Sequence, residues 1–120
     1  MAISISLLTA CSVPQSESTP SPSEKSANET VYAFVGKDIQ NPYNQKVFEG
    51  FESACNEIGI EAIYKAPTSA TADKQIEIIN ELIDNNVDGI AISANDADAL
   101  ESSLTEALNS GIEVISVDAP

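Results

Sequence analysis

The chain has 120 residues, and its formal net charge of −14 argues against binding to a nucleic-acid backbone. Histidine is absent, which excludes Ser-His-Asp catalysis and His-ligated zinc. All five basic residues are lysines, so the usual bidentate partner of phosphate and carboxylate ligands is missing and a neutral polar ligand fits better.

The first residues are mildly apolar and end on small side chains just before Cys11. The stretch Leu8-Thr9-Ala10-Cys11 resembles the end of a bacterial lipoprotein signal peptide, although the apolar run is short and no basic residue precedes it. The resemblance implies that residues 1–11 are the remnant of a signal and that lipid on Cys11 anchors the protein to a membrane outside the cytoplasm. The alternative is an accidental match at a frayed terminus.

Residues 12–30 are rich in Ser, Pro and Glu and hold almost no large apolar side chain. Such a segment cannot bury enough apolar surface to fold, so we predict a disordered tether. The ordered domain is predicted to begin at residue 31.

Residues 31–64 show the first strand and helix patterns. The apolar run 31–35 predicts a buried strand, and residues 43–58 predict a helix that ends at Gly59. A second strand, 60–64, is more alternating and suits a sheet edge. The inward face of the helix is predicted to carry apolar side chains spaced three and four apart: Val47, Phe48, Phe51, Ala54, Cys55 and Ile58.

The same alternation continues from residue 72. A helix over 72–86 is followed by an apolar strand at 89–93, and Asn95-Asp96 predicts the cap of a third helix that ends at Gly111. A fourth strand is predicted at 112–117. The two inward helix faces are predicted to carry Ile76, Ile79, Leu82 and Ile83, and then Leu100, Leu104, Ala107 and Leu108.

This alternation predicts an α/β fold, a doubly wound parallel sheet in the order 2-1-3-4. The first, third and fourth strands are continuously apolar, so we expect them to be covered on both faces. Ligands bind outside the carboxyl ends of such strands where the strand order reverses, here between strands 1 and 3.

The polar groups at that edge are the candidate ligand-binding residues. The first strand is followed by Lys37, Asp38, Gln40, Asn41 and Tyr43, the third by Ser93, Asn95 and Asp96, and the fourth by Asp118. An acidic residue directly after a buried strand needs a partner. Asn41-Pro42 is equally a good helix start, Lys37 is alternatively a solvated loop charge and Tyr43 a core residue. Asp38 and Gln40 are interpreted as loop residues, and Asn95-Asp96 as a helix cap in preference to a ligand contact.

Four stretches, 36–43, 87–92, 95–100 and 114–118, resemble the sugar-binding proteins of bacterial ABC importers, of the ribose and rhamnose type and related to the autoinducer-2 receptor. The resemblance implies two lobes closing on a sugar, of which this chain supplies an incomplete first lobe, so the gene is expected to continue. It implies that Lys37, Asn41 and Asp118 bind the ligand and that Tyr43 forms a wall. Ribose-type members often carry Arg after that last Asp, where this chain has Ala119.

The expected function is therefore delivery of a neutral monosaccharide to an ABC permease by a lipid-anchored protein of the cell envelope. We expect no enzymatic activity, cofactor, metal or nucleic-acid partner, since no phosphate-binding glycine loop or metal cluster is present. The alternatives are the sugar-sensing domain of a transcription repressor, which would need a basic DNA-binding segment before residue 31, or of a membrane signalling system.

Overall fold

The structure is a computed structural model that describes residues 29–118. The predicted lipid-attachment box at Cys11 and nearly all of the predicted tether lie outside the described residues, as does Ala119. Four strands and three helices alternate: β1 Val31–Val35, α1 Pro42–Glu57, β2 Glu61–Lys65, α2 Ala72–Asp84, β3 Gly89–Ile92, α3 Ala97–Asn109 and β4 Glu113–Ser116.

All strand pairs are parallel, and the strand order is β2-β1-β3-β4, which confirms the predicted topology. In the central pair, Val35 lies opposite Ile92, so the loops that follow β1 and β3 leave the sheet side by side. This is the predicted reversal of strand order.

Helices α2 and α3 cover one face of the sheet. Ala33 and Val35 from β1 and Ile90 and Ile92 from β3 point toward this side, where Ile79 of α2 is fully buried. The alternation of side chains along each strand, combined with the helical period of α2 and α3, gathers these apolar groups into one core.

Helix α1 covers β1 and β2 on the opposite face, through an aromatic cluster. The ring of Phe34 lies 6.2 Å from Phe48, 5.8 Å from Phe51 and 6.0 Å from Tyr64 between centroids. Phe48 and Tyr64 are 5.2 Å apart. The tilted and offset arrangements are those that aromatic pairs prefer.

The prediction that the fourth strand is covered on both faces is wrong for the described residues. Ile115 is 58% exposed. It lies opposite Ala91 in the register, beside an open groove that Tyr32 and Phe51 also line. Because α1 packs over β1 and β2, it leaves this half of the sheet face open.

Three helix residues predicted to face inward are also exposed, and the first of them is Ala54 in α1. Ile58 is 70% exposed because α1 ends at Glu57 and Ile58 is its carboxyl-terminal cap. Leu108 is 55% exposed because Ala107, not Leu108, occupies the buried position in the last turn of α3. Within residues 29–118, no helix combines the length and apolarity needed to cross a bilayer.

Candidate functional site

The candidate site is the carboxyl edge of β1, β3 and β4. The backbone ladder extends past the strands here: Gly36 N donates to Lys65 O at 2.9 Å, Ser93 N to Val35 O at 2.9 Å, and Val117 N to Ile92 O at 2.8 Å. These bonds hold the first residues of the loops after β1, β3 and β4 side by side at the same edge of the sheet. Side chains from distant parts of the sequence therefore meet at this edge.

Tyr43 and Asp118, predicted from separate motifs, are neighbours in the structure. Tyr43 lies in the first turn of α1, and its Oη donates to Asp118 Oδ1 at 3.4 Å. Both side chains are exposed, so they are accessible to a ligand. Tyr43 is 54% exposed, which excludes a core role for it in the described part of the chain.

Asp118 has φ of 59°, in the left-handed region that Asp and Asn tolerate better than other residues with a side chain. The chain therefore makes a sharp turn immediately after Val117, and the carboxylate of Asp118 lies beside Tyr43. A carboxylate in this position can accept hydrogen bonds from two adjacent hydroxyls, and a neighbouring aromatic ring can cover an apolar C–H face.

Lys37 is held through its backbone. Its N–H donates to Asn44 Oδ1 at 3.0 Å, and its carbonyl accepts from Asn95 Nδ2 at 2.9 Å. Lys37 itself is half-buried, and its ammonium group forms no ion pair with any residue of the range 29–118. The charge is thus available to a ligand at this edge.

Asn41 is the amino-terminal cap of α1. Its Oδ1 accepts from Tyr43 N at 3.0 Å and from Asn44 N at 3.3 Å. The cap fixes the direction of the first turn and hence the position of Tyr43. A direct contact of Asn41 with a ligand stays a prediction.

The residues interpreted as loop and cap residues have different hydrogen-bonding roles in the structure. Asp38 Oδ1 accepts from Gln40 N at 2.8 Å, a local turn, and Asp96 caps α3 by accepting from Ala99 N at 3.1 Å. Asn95, by contrast, reaches across to Lys37. Its side chain belongs to the site edge and not to the cap.

Two buried amides at this edge were not singled out from the sequence. Gln75 is 0% and Asn44 1% exposed. Both stand at apolar positions of their helices: Gln75 precedes Ile79 and Leu82 by four and seven residues, and Asn44 precedes Phe48 by four. An amide on an inward helix face is the signal that could have found them.

Tyr64 lies beneath the site. Burial raises the pKa of its phenol, and the negative charge of Asp38 raises it further. Among residues 29–118 its Oη has no hydrogen-bond partner. A Cβ built on Gly36 would lie 2.6 Å from that oxygen, so the close approach of the loop after β1 requires glycine.

The comparisons with known proteins agree with this architecture. The sequence profile of the periplasmic binding protein domain matches residues 32–120. The chain belongs to the periplasmic binding protein family.

Two solved relatives are ABC transporter solute-binding proteins. One, from Clostridium phytofermentas with bound L-rhamnose, is 48% identical with a TM-score of 0.73 and matches 78% of this chain. Another, from Burkholderia graminis in complex with D-arabinose, is 31% identical with a TM-score of 0.74 and matches 80%. The chain spans only 29% and 33% of their lengths.

A third, the arabinose-binding protein AraP from Geobacillus stearothermophilus, is 26% identical with a TM-score of 0.73. The match covers 76% of this chain and 31% of the AraP chain.

Proposed function

We propose that this chain forms part of the first lobe of an extracytoplasmic solute-binding protein that delivers a neutral monosaccharide, rhamnose-like or ribose-like, to an ABC importer. The observation that carries this proposal is the meeting of Tyr43 and Asp118 beside the loop of Lys37, at the edge where the strand order reverses. The relative with bound L-rhamnose, 48% identical, supports the ligand class.

The chemistry of the three side chains suits a sugar. Asp118 accepts hydrogen bonds from adjacent hydroxyls, Lys37 donates, and Tyr43 offers a ring and a hydroxyl. Hydrogen bonds to charged groups contribute roughly 1.5–3 kcal/mol each. Asn41 is proposed as a further donor, in addition to its cap. A second lobe would close over these groups and exclude water.

We further propose that lipid on Cys11 holds the protein at the membrane and that a permease receives the sugar. Mass spectrometry of the membrane fraction tests the anchor, with a lipid adduct on Cys11 as the new amino terminus expected. A product that retains Met1 and partitions with soluble protein would contradict it.

The binding proposal is tested by calorimetry of the full-length gene product against L-rhamnose, D-arabinose and D-ribose. We expect a Kd in the micromolar range or tighter for one of them, roughly 8 kcal/mol. Asp118→Ala should weaken that binding by roughly 30- to 1,000-fold, about 2–4 kcal/mol.

Asp38→Ala is the matched control, because it removes a carboxylate from the neighbouring loop that accepts a local hydrogen bond from Gln40 N, and it should cost much less. Failure of the wild-type protein to bind any neutral monosaccharide would refute the proposal. Normal binding by Asp118→Ala would show that the site is misplaced.

A further inference from the structure

Gln75 joins the ends of β1 and β3, two of the three strands that form the site edge. It lies in the first turn of α2 and is fully buried. Its Nε2 donates to Gly36 O at 3.0 Å and to Ser93 O at 2.9 Å, and its Oε1 accepts from Asn95 N at 2.8 Å. One side chain thus uses both amide protons and its oxygen on the loops that leave β1 and β3.

The network continues outward from Gln75 to Lys37. Asn95, whose backbone N–H is bound by Gln75, donates through Nδ2 to the carbonyl of Lys37, and Asn44 accepts from the N–H of Lys37. Three amide side chains from three different elements therefore fix both backbone groups of the residue that presents the candidate lysine. We name Gln75, Asn95 and Asn44 the amide clamp.

The amide clamp is poorly explained as a source of stability alone. An apolar residue at position 75 would continue the face formed by Ile79 and Leu82, whereas a buried amide is tolerated only when its polar atoms are paired. The groups that pair with Gln75 are the carbonyls of Gly36 and Ser93 and the N–H of Asn95, at the start of the loops after β1 and β3. Binding sites need such support, because a loop that moves by about 1 Å loses its fit to the ligand.

We propose that the amide clamp positions the sugar site: Gln75, Asn95 and Asn44 do not touch the ligand but hold the loops after β1 and β3 in the binding geometry. The inference rests on the proposed sugar-binding function. It assigns to these residues a role in affinity that is separate from their role in stability.

The test compares Gln75→Met with Ile79→Val in the full-length gene product. Met keeps the length of the side chain and removes all three hydrogen bonds, while Ile79→Val perturbs a fully buried residue one turn further along the same helix without touching the loops. Sugar affinity is measured by calorimetry at a temperature at which circular dichroism shows both variants to be folded. Hydrogen exchange of the Lys37 and Asn95 amides is measured in the same samples.

We expect Gln75→Met to weaken sugar binding by about tenfold or more and to accelerate exchange at both amides. Ile79→Val should leave the Kd of the folded protein within about twofold of wild type. Equal weakening in the two variants, or an unchanged Kd in Gln75→Met, would overturn the proposal, since either outcome leaves the buried amide with a structural role only.

Asn95→Ala keeps the test decisive if Gln75→Met does not fold. Asn95 is only half-buried, and the change removes a single bond, to the Lys37 carbonyl. Sugar binding weaker by about threefold or more supports the clamp, and unchanged binding refutes it. If the wild-type protein binds no sugar, the proposed function fails by itself; unchanged Lys37 exchange in these variants would then refute the clamp independently.

Discussion

Gly36→Ala should destabilise the protein through one contact that the structure identifies. The new Cβ would lie 2.6 Å from Tyr64 Oη, a separation that carbon and oxygen atoms do not tolerate. Tyr64 cannot move aside freely, because its ring packs against Phe34 at 6.0 Å and Phe48 at 5.2 Å. The backbone of Gly36 is not in the left-handed region, so the cost is steric and not conformational.

The size of the effect follows from two opposing terms. Overpacking a well-filled site costs about 1–3 kcal/mol, and replacing glycine by alanine returns about 0.4–1 kcal/mol by restricting the unfolded chain. The net loss should be about 1–2 kcal/mol. For a domain of this size that lowers Tm by about 5–15 °C.

Tyr64→Phe supplies the decisive comparison. It removes the clashing oxygen, which has no hydrogen-bond partner among residues 29–118, so this variant alone should be neutral or slightly more stable than wild type. With the hydroxyl gone, the nearest ring carbon to the new Cβ lies at 3.2 Å, which small shifts relieve. Gly36→Ala should therefore cost at least about 1 kcal/mol less in the Tyr64→Phe background.

The assay is urea unfolding followed by circular dichroism for the wild type, the two single variants and the double variant. Equal destabilisation by Gly36→Ala in both backgrounds would refute the reasoning, because the loss would then not arise from the hydroxyl. A Gly36→Ala protein as stable as wild type would show that the loop after β1 relaxes away from Tyr64.

Three further outcomes are expected. Asp118→Asn tolerates the left-handed backbone but loses the charge, so calorimetry should show sugar binding weaker by about tenfold or more with an unchanged Tm; a lower Tm would assign the carboxylate to the turn. The raised pKa of Tyr64 favours the neutral phenol in the folded state. The resulting contribution of Tyr64 to the free energy of unfolding is therefore complete below about pH 10, and it is lost as the pH rises through the folded-state pKa. Tyr64→Phe should therefore lose less stability than wild type in urea titrations between pH 8 and 10.5, and equal losses would argue against this. Burial raises the pKa of the Cys55 thiol, so in a Cys11→Ser background Ellman's reagent should modify it at least about 100-fold more slowly than in urea, and rapid reaction of the folded protein would contradict its buried position.

Local patterns were sufficient to predict the elements and their order in space. Apolar runs and helical spacing depend on neighbours within a few residues, so they could be assigned from the sequence, and right-handed crossovers then left few arrangements of the sheet. The candidate residues Lys37, Tyr43 and Asp118 could be predicted for the same reason, because each directly follows a recognisable strand or begins a helix. Their role in binding a ligand stays a prediction.

Contacts between distant residues could not be predicted in this way. Gln75 meets the carbonyl of a residue 39 positions away, and Tyr43 meets a carboxylate 75 positions away. The exposure of Ile115 likewise depends on how far α1 extends over the sheet. The apolar pattern of β4 carries no information about that distance.

The sequence by itself determined the α/β class, the parallel order and the edge at which the polar loops emerge, because these follow from periodicity and chain connectivity. Only the tertiary structure decided which amides are buried, what they bind and which apolar side chains remain uncovered. Burial is a property of the space between elements, and hydrogen bonds of fixed length form only once packing has set that space to within a few tenths of an ångström.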